Sequence, residues 1–193
     1  ISTEPVSVSG YLDLRDEGYG FLRVNGYLAS AGDAYVAVRL TRQYGLRKGD
    51  HVTGMCKPAG RNEKNPAMLD VATINGVAAD KVKARPRFED LTALFPDSKL
   101  GLENSADPNN MTARIIDLIS PIGKGQRGMI VSPPKAGKTT IMKTIATSIE
   151  RNHPEVKLIV LLIDERPEEV TDMKRTVKGE VIASTFDRPS EEH

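Results

Sequence analysis

The feature that most constrains the fold of this chain is a short loop between an apolar run and a helix-forming stretch. Residues 129–139 read Met-Ile-Val-Ser-Pro-Pro-Lys-Ala-Gly-Lys-Thr. Apart from Ser132, which stands where glycine is usual, this is the strand, loop and helix start of a P-loop. Small residues let such a loop curl so that its N–H groups point at phosphate oxygens, and the helix dipole favours the same negative charge. The segment therefore predicts a phosphate-binding loop in a parallel α/β sheet.

Two side chains at the end of this loop are candidates for contacts with a nucleoside triphosphate. Lys138 can reach the β- and γ-phosphates, and the Thr139 hydroxyl can bind Mg²⁺. ATP and magnesium are therefore the expected cofactors. A Gly-Lys-Thr triplet alone is common by chance, but the preceding apolar run and the following helix make this match more specific.

A second apolar run, residues 158–163, is followed by an Asp-Glu-Arg sequence. Acids at the carboxyl end of a strand lie at the sheet edge where open α/β folds bind ligands. Asp164 could anchor magnesium as a Walker B aspartate, or Glu165 could be the base that orients the attacking water. Alternatively, the two acids only cap the helix predicted near Pro167. Asp164 follows Gly137 by 27 positions, which favours a neighbouring strand that supplies the water-polarising glutamate.

Residues 111–193 alternate between strand and helix patterns. Strands are predicted at residues 113–118, 128–131, 158–163 and 181–184, and helices at residues 138–152 and 168–174. Units of this length indicate a parallel α/β sheet. Because so few sheet strands are present, we expect this to be the first, incomplete part of a larger domain.

The beginning of the chain has a different pattern, with short β-rich runs separated by glycine and polar turns. Five strands are predicted, at residues 6–14, 20–24, 35–38, 51–56 and 68–74, with a short helix at residues 40–44. This layout predicts a five-stranded OB or cold-shock-like barrel for residues 1–77. Residues 78–110 contain three prolines and little periodicity and are expected to be a linker. The fold class is therefore β followed by α/β.

Two aromatic residues and an arginine alternate along the second predicted strand. Tyr19, Phe21 and Arg23 are spaced so that all three side chains project from one face. Rings beside a cation form a stacking platform with a phosphate partner, by which OB folds hold single strands. Tyr35 could add a third ring from an adjacent strand. Alternating aromatics are more often core residues, but the glycines on either side of Tyr19 favour a surface site.

Composition adds few constraints. The net charge is +1, and the single cysteine, Cys56, cannot form an internal disulfide. No apolar run is long enough to cross a bilayer, and the N-terminus lacks the pattern of a signal peptide. The three histidines and the cysteine are too scattered to predict a zinc site. We therefore expect a cytoplasmic protein without membrane contact.

Several longer blocks of sequence resemble one family. They are Ser-Pro-Ile-Gly-Lys-Gly-Gln-Arg-Gly at 120–128, Pro-Pro-Lys-Ala-Gly-Lys-Thr at 133–139, Leu-Ile-Asp-Glu-Arg-Pro-Glu-Glu-Val-Thr at 162–171 and Val-Lys-Gly-Glu-Val at 177–181. Together with the glycine-rich aromatic segment of the barrel, these blocks resemble the Rho family of bacterial transcription termination factors. The resemblance covers nearly the whole chain.

The resemblance implies a homohexameric, RNA-dependent ATPase and helicase that captures nascent single-stranded RNA on the barrel. Its partners would be that RNA, RNA polymerase and elongation factors of the polymerase. It also implies that residues 111–193 are the N-terminal part of a RecA-like ATPase domain. The family's Walker B strand, pore loops and arginine finger would lie beyond residue 193, so we expect these 193 residues alone to be inactive in hydrolysis.

The resemblance also implies site residues by position. For RNA they are Glu17, Gly18, Tyr19, Gly20, Phe21, Leu22, Arg23, Asp33, Ala34, Tyr35, Glu63, Lys64 and Asn65. Lys64 and Asn65 replace an arginine and a tyrosine that are common in the family, which leaves stacking by that loop open. For ATP they are Gly123, Lys124, Gly125, Gln126, Arg127, Gly128, Lys135, Ala136, Gly137, Lys138, Thr139, Thr140 and Arg166, with Glu165 and Lys138 catalytic and Thr139 on the metal.

Two alternatives belong to other functional classes. The chain could be an OB-fold RNA-binding protein whose P-loop segment does not hydrolyse ATP. It could also be a rotary or secretion-type ATPase subunit, which likewise couples a small barrel to a P-loop. The aromatic residues with Arg23 argue against the second alternative, because such barrels have no need to stack bases.

Overall fold

The computed structural model describes residues 4–82 and 84–187. The chain divides into two compact units, residues 1–91 and 92–193. No helix within the described ranges is long and apolar enough to cross a membrane.

The first unit is a small β-barrel. Its elements are β1 (Val6–Leu14), β2 (Gly20–Arg23), β3 (Ala34–Val36), α1 (Val38–Gln43), β4 (His51–Lys57), β5 (Ala67–Ile74) and β6 (Val77–Ala78). The strand order is β3-β2-β1-β4-β5-β6, and a parallel pairing of Tyr35 with Ala67 joins β3 to β5. Strands β1 to β5 therefore form a closed barrel, and the two-residue strand β6 pairs with β5. This closure confirms the five-stranded OB-like barrel. Val38, predicted as strand, begins α1 instead.

Alternation along the strands separates a core from an outer face. Leu12, Leu22 and Val52 are almost completely buried inside the barrel. Their neighbours in sequence point outward, as expected for a period of two. Gly10 and Gly54 mark close approaches between strands, because an added Cβ would overlap the carbonyl oxygens of Arg23 and Asp70 respectively. The outer face is therefore formed by the odd-numbered residues of β1, β2 and β4.

A buried carboxylate ties the chain after the barrel to the loop before β4. Arg85 donates to both Asp50 oxygens at 2.6 and 2.7 Å, and Asn75 donates to one of them at 3.0 Å. Asp50 also accepts from the Arg47 amide at 2.8 Å. Burial raises the pKa of Asp50, but these hydrogen bonds outweigh burial and hold the pKa below its ordinary value. The arrangement fixes where the chain leaves the barrel.

This network predicts an acid-sensitive barrel. Since the pKa of Asp50 is lower in the folded state, its stabilising contribution is complete above the unfolded-state value of about 4. The contribution is lost as pH falls through the lower folded-state value. Urea unfolding of the chain between pH 7 and pH 3 should show a falling free energy of unfolding, and Asp50→Asn should flatten that dependence. An unchanged pH profile in the variant would contradict this role.

The second unit contains α2 (Met111–Ile119), α3 (Lys138–Asn152), β7 (Ile159–Glu165), α4 (Pro167–Thr176) and β8 (Glu180–Thr185). Strands β7 and β8 pair in parallel. A core of six buried residues joins α3, β7 and α4: Ala146, Val160, Leu162, Val170, Met173 and Val177. The parallel pair and its helices confirm the start of a P-loop α/β domain.

The strand predicted at residues 113–118 is wrong, because these residues form α2. The side chain of Asn110 caps this helix by accepting from the Ala113 amide at 3.2 Å. Ala113 and Ile116 face the core at a helical spacing of three. The cap and this spacing outweigh the strand-like run of β-branched residues.

The strand predicted at residues 128–131 is also wrong. Met129 and Val131 are 87% and 84% exposed, and no described strand pairs with this segment. The described parallel sheet consists of β7 and β8 alone. A strand requires hydrogen bonds from a neighbouring strand, so apolar composition by itself does not produce one. The loop before α3 therefore follows irregular chain.

Candidate nucleic-acid interface and phosphate pocket

Three aromatic rings form a cluster on the outer face of the barrel. Tyr19 and Phe21 have ring centroids 6.0 Å apart, and Tyr35 lies 5.8 Å from Tyr19 and 5.9 Å from Phe21. Phe21 and Tyr35 are paired across β2 and β3. Because Leu22 points into the core, Phe21 points outward, and Tyr35 is 36% exposed. We call these three residues the first ring cluster.

Arg23 lies beside this cluster but its charge is already paired. Its guanidinium carbon is 5.4 Å from the Phe21 ring centroid. The guanidinium donates to Asp33 at 2.7 Å and to Asp13 at 2.5 Å. Burial lowers the pKa of Arg23, but these carboxylates outweigh burial and raise it. Arg23 therefore lies over the Phe21 ring with its charge paired to two carboxylates, and its predicted contact with phosphate is not favoured by this geometry.

Asp33 organises the loop between β2 and β3. Its carboxylate accepts from the Val24 amide at 3.2 Å, the Ser30 amide at 2.8 Å and the Ser30 hydroxyl at 2.7 Å. Burial raises the pKa of Asp33, but these bonds and Arg23 hold it below its ordinary value. Asp33 is 1% exposed. Its position suits holding the loop rather than touching a ligand.

The third predicted RNA segment lies next to β3. The Asn65 side chain donates to the Asp33 carbonyl at 3.0 Å, and the Tyr35 amide donates to the Pro66 carbonyl at 2.7 Å. Glu63 accepts from the Gly60 amide at 2.9 Å and is exposed. The fold thus brings the three predicted segments together. Three members of those segments without a polar side chain are buried in the barrel: Gly20, Leu22 and Ala34.

The predicted phosphate loop lines a cavity of about 530 Å³ in the second unit. Lys135 and Gly137 adopt left-handed backbone angles, with φ of 60° and 88°. Gly137 precedes α3 and contributes no side-chain cap, and the first turn of α3 contains no acid. The first-turn amides are therefore available to an anion.

The residues present fit a nucleotide phosphate. Among the described residues, the Ser132 hydroxyl is buried without a hydrogen-bond partner, and it lines the same cavity. Lys138 and Thr139 also line the cavity. A site with exposed amides, a cation and an unsatisfied hydroxyl is suited to phosphate oxygens.

Glu165 faces this cavity, whereas Asp164 is not among its lining residues. Asp164 has a φ of 56°, and the pairing of β7 with β8 shifts register between Leu162 and Glu165. This irregularity breaks the alternation of the strand at its end. As a result, the Glu165 carboxylate lies 3.6 Å from the Lys138 ammonium.

Glu169 is a further acid of the cavity that sequence reasoning missed. It lies in the first turn of α4, four residues after Glu165. A hydrogen bond to Glu165, together with burial, raises the pKa of Glu169. The only signal in the sequence was the spacing of four between Glu165 and Glu169. That spacing does not predict a contact here, because Glu165 ends a strand and Glu169 lies at the start of a helix.

The predicted ATP residues at 123–128 do not line this cavity. The Gly123 amide donates to the Gln126 side chain at 2.8 Å, and Lys124 pairs with Glu155 at 2.9 Å. The predicted ATP residues that do not line the cavity are Gly123, Lys124, Gly125, Gln126, Arg127, Gly128 and Thr140. Their contact with a nucleotide stays a prediction. Lys135, Ala136, Gly137, Lys138, Thr139 and Arg166 do line it.

Fold and sites together define a class, namely an OB-like barrel with an exposed aromatic face joined to a P-loop nucleotide-binding domain. Comparison with known families agrees. Residues 8–80 match the RNA-binding domain of Rho termination factor. Residues 112–186 match the nucleotide-binding domain of the ATP synthase alpha/beta family.

Three relatives that match nearly the whole chain carry the same name. Transcription termination factor Rho of Streptomyces lividans is 53% identical over 97% of this chain and 27% of that protein. The proteins of the same name from Aquifex aeolicus and Pseudomonas fluorescens biotype C are 52% and 50% identical, over 97% and 100% of this chain. The chain belongs to the Rho transcription termination factor family. It spans between 27% and 46% of the length of these three relatives.

Proposed function

We propose that this chain is the RNA-capturing and nucleotide-binding part of an ATP-dependent RNA translocase that terminates transcription. The observation that carries the proposal is the first ring cluster on the outer face of the barrel. Proposed partners of the complete protein are nascent single-stranded RNA, RNA polymerase with its elongation factors, and further copies in a homohexamer. A cytoplasmic location is part of the same proposal.

The first ring cluster favours single strands over duplexes. Unstacked bases can lie on aromatic rings, whereas paired bases keep their faces covered. Stacking is tolerant of sequence because every base has a π-face. Lys64 is exposed in the loop that adjoins β3 and can attract the phosphate backbone. The barrel would therefore hold RNA mainly through its bases, with a modest electrostatic contribution.

The second unit is proposed to bind ATP with magnesium. The first-turn amides of α3 and Lys138 would hold phosphate oxygens, and the Thr139 hydroxyl would hold the metal, which neutralises charge on the phosphates. Lys138 is within ion-pair distance of Glu165 at 3.6 Å. A phosphate that attracts Lys138 would release the Glu165 carboxylate, which could then accept a proton from water.

Removing rings of the first cluster should weaken RNA binding. Phe21→Ala and Tyr35→Ala should each cost about 1–3 kcal/mol of binding free energy, because each removes one stacking partner. Phe88→Ala is a matched control, since Phe88 is 85% exposed and lies outside the barrel strands. Fluorescence anisotropy of a labelled pyrimidine-rich RNA with the 193-residue chain measures all three. Wild-type affinity in both cluster variants would refute the proposed RNA site.

A further inference from the structure

A second group of rings lies on the same barrel. Tyr11 of β1 and Tyr27 of the loop after β2 stack with centroids 5.0 Å apart and planes at 30°. His51 of β4 meets Tyr11 edge-on at 5.1 Å. The Ser9 hydroxyl lies 3.2 Å from the His51 Nε2 atom. We call Tyr11, Tyr27 and His51 the second ring cluster. None of these residues is among those expected to bind RNA from the sequence.

The two clusters adjoin each other on the outer face. Tyr11 is opposite Arg23 in the pairing of β1 with β2, and it is opposite His51 in the pairing of β1 with β4. Phe21 is therefore the diagonal neighbour of Tyr11, at roughly 7–8 Å between Cα atoms. Arg23 lies between the clusters and contacts the Phe21 ring. A single RNA strand that crosses Phe21 can continue towards Tyr27 without leaving this face of the barrel.

The second ring cluster has the character of a binding surface. Tyr27 is 43% exposed, and the adjacent Leu28 is 60% exposed. The ring is nevertheless held in place, because Tyr11 stacks on it and the buried Asp33 carboxylate fixes the loop that carries it. An exposed ring held by its neighbours can stack on a base with little loss of conformational freedom.

We infer that Tyr27, supported by Tyr11 and His51, is a second base-stacking position for the single-stranded RNA held by the first ring cluster. The inference rests on the proposed function and extends it. The ligand of Tyr27 is then a nucleobase of the same RNA strand that the first ring cluster holds. RNA long enough to reach both clusters should therefore bind more tightly than RNA that covers the first cluster alone.

The test compares two lengths of RNA on the 193-residue chain. Tyr27→Ala should weaken binding of a labelled pyrimidine octanucleotide about 5- to 150-fold, the loss of one stack. The same variant should bind a competing dinucleotide as the wild type does. Tyr27→Phe is the matched control, because it keeps the ring and should keep the affinity. Circular dichroism of each variant checks that the barrel remains folded.

A fluorescent variant provides a second readout. The chain contains no tryptophan, so Tyr27→Trp introduces a single reporter at the proposed position. Its emission should change when the octanucleotide is added, because a base stacks on the indole, and should stay constant with the dinucleotide. This measurement does not depend on how well Tyr27→Ala folds.

The outcomes separate the inference from the proposed function. Wild-type octanucleotide affinity in Tyr27→Ala, with weakened binding of both RNAs in Phe21→Ala, would overturn the second stacking position and leave the first cluster supported. Wild-type affinity for both RNAs in Phe21→Ala would overturn both. Tryptophan emission of Tyr27→Trp that does not change when the octanucleotide is added would also overturn the inference.

Discussion

Replacing Glu165 by glutamine in the complete polypeptide that carries this segment is expected to lower ATP hydrolysis about 10²- to 10⁴-fold. Glutamine keeps the size of the side chain but cannot accept a proton from the attacking water. ATP binding should change little, because the loop amides and Lys138 hold the phosphates in the proposed site. Steady-state hydrolysis with saturating RNA, together with binding of a fluorescent ATP analogue, measures the two effects separately.

The neighbouring acids supply the controls for this variant. Glu168 is exposed and does not line the cavity, so Glu168→Gln should hydrolyse ATP at the wild-type rate. Asp164→Asn tests the alternative in which Asp164 is the essential acid. If Asp164→Asn stopped hydrolysis while Glu165→Gln preserved it, the assignment of the base would be wrong.

The second large effect is on stability. Arg23→Met should destabilise the barrel by about 3 kcal/mol, because it leaves the Asp33 carboxylate buried without its cation. The two side chains are 10% and 1% exposed, so water cannot replace the lost partner. Urea unfolding followed by circular dichroism measures the loss. The double variant Arg23→Met with Asp33→Asn should recover part of it, since the unpaired charge is then removed.

The same variant distinguishes a structural role of Arg23 from a role in binding phosphate. Under that role, Arg23→Met would leave the barrel stable and would reduce the salt dependence of RNA binding. Wild-type stability combined with a flatter salt dependence would therefore contradict the structural role derived from Asp13 and Asp33.

Local patterns in the sequence were sufficient for much of the architecture. Glycine and polar turns separate the barrel strands, and the last two residues of the P-loop motif, Lys138 and Thr139, are the first two residues of α3. The same reasoning missed α2, because its cap on Asn110 and its helical spacing compete with a strand-like composition. It also placed a strand before the P-loop, where the described chain offers no pairing partner.

The candidate sites were less accessible to sequence reasoning, because they depend on contacts between distant residues. Alternation correctly places Arg23 on the outer face with Phe21, but only the fold shows that Asp13 and Asp33 pair with its charge. The contact of Tyr11 with Tyr27 likewise joins residues that no motif connects. The hydrogen bond between Glu169 and Glu165 forms at the end of β7, where the pairing with β8 shifts register.

The central claim is that the first ring cluster holds RNA by stacking on bases. The most direct measurement compares a pyrimidine octanucleotide with the same oligonucleotide carrying abasic residues at its central positions, on the wild-type chain and on Phe21→Ala. The wild type should bind the abasic RNA more weakly than the intact RNA. The loss of affinity should be smaller for Phe21→Ala, because this variant already lacks one of the rings on which a base stacks. Equal affinity of the wild-type chain for both RNAs would contradict the claim.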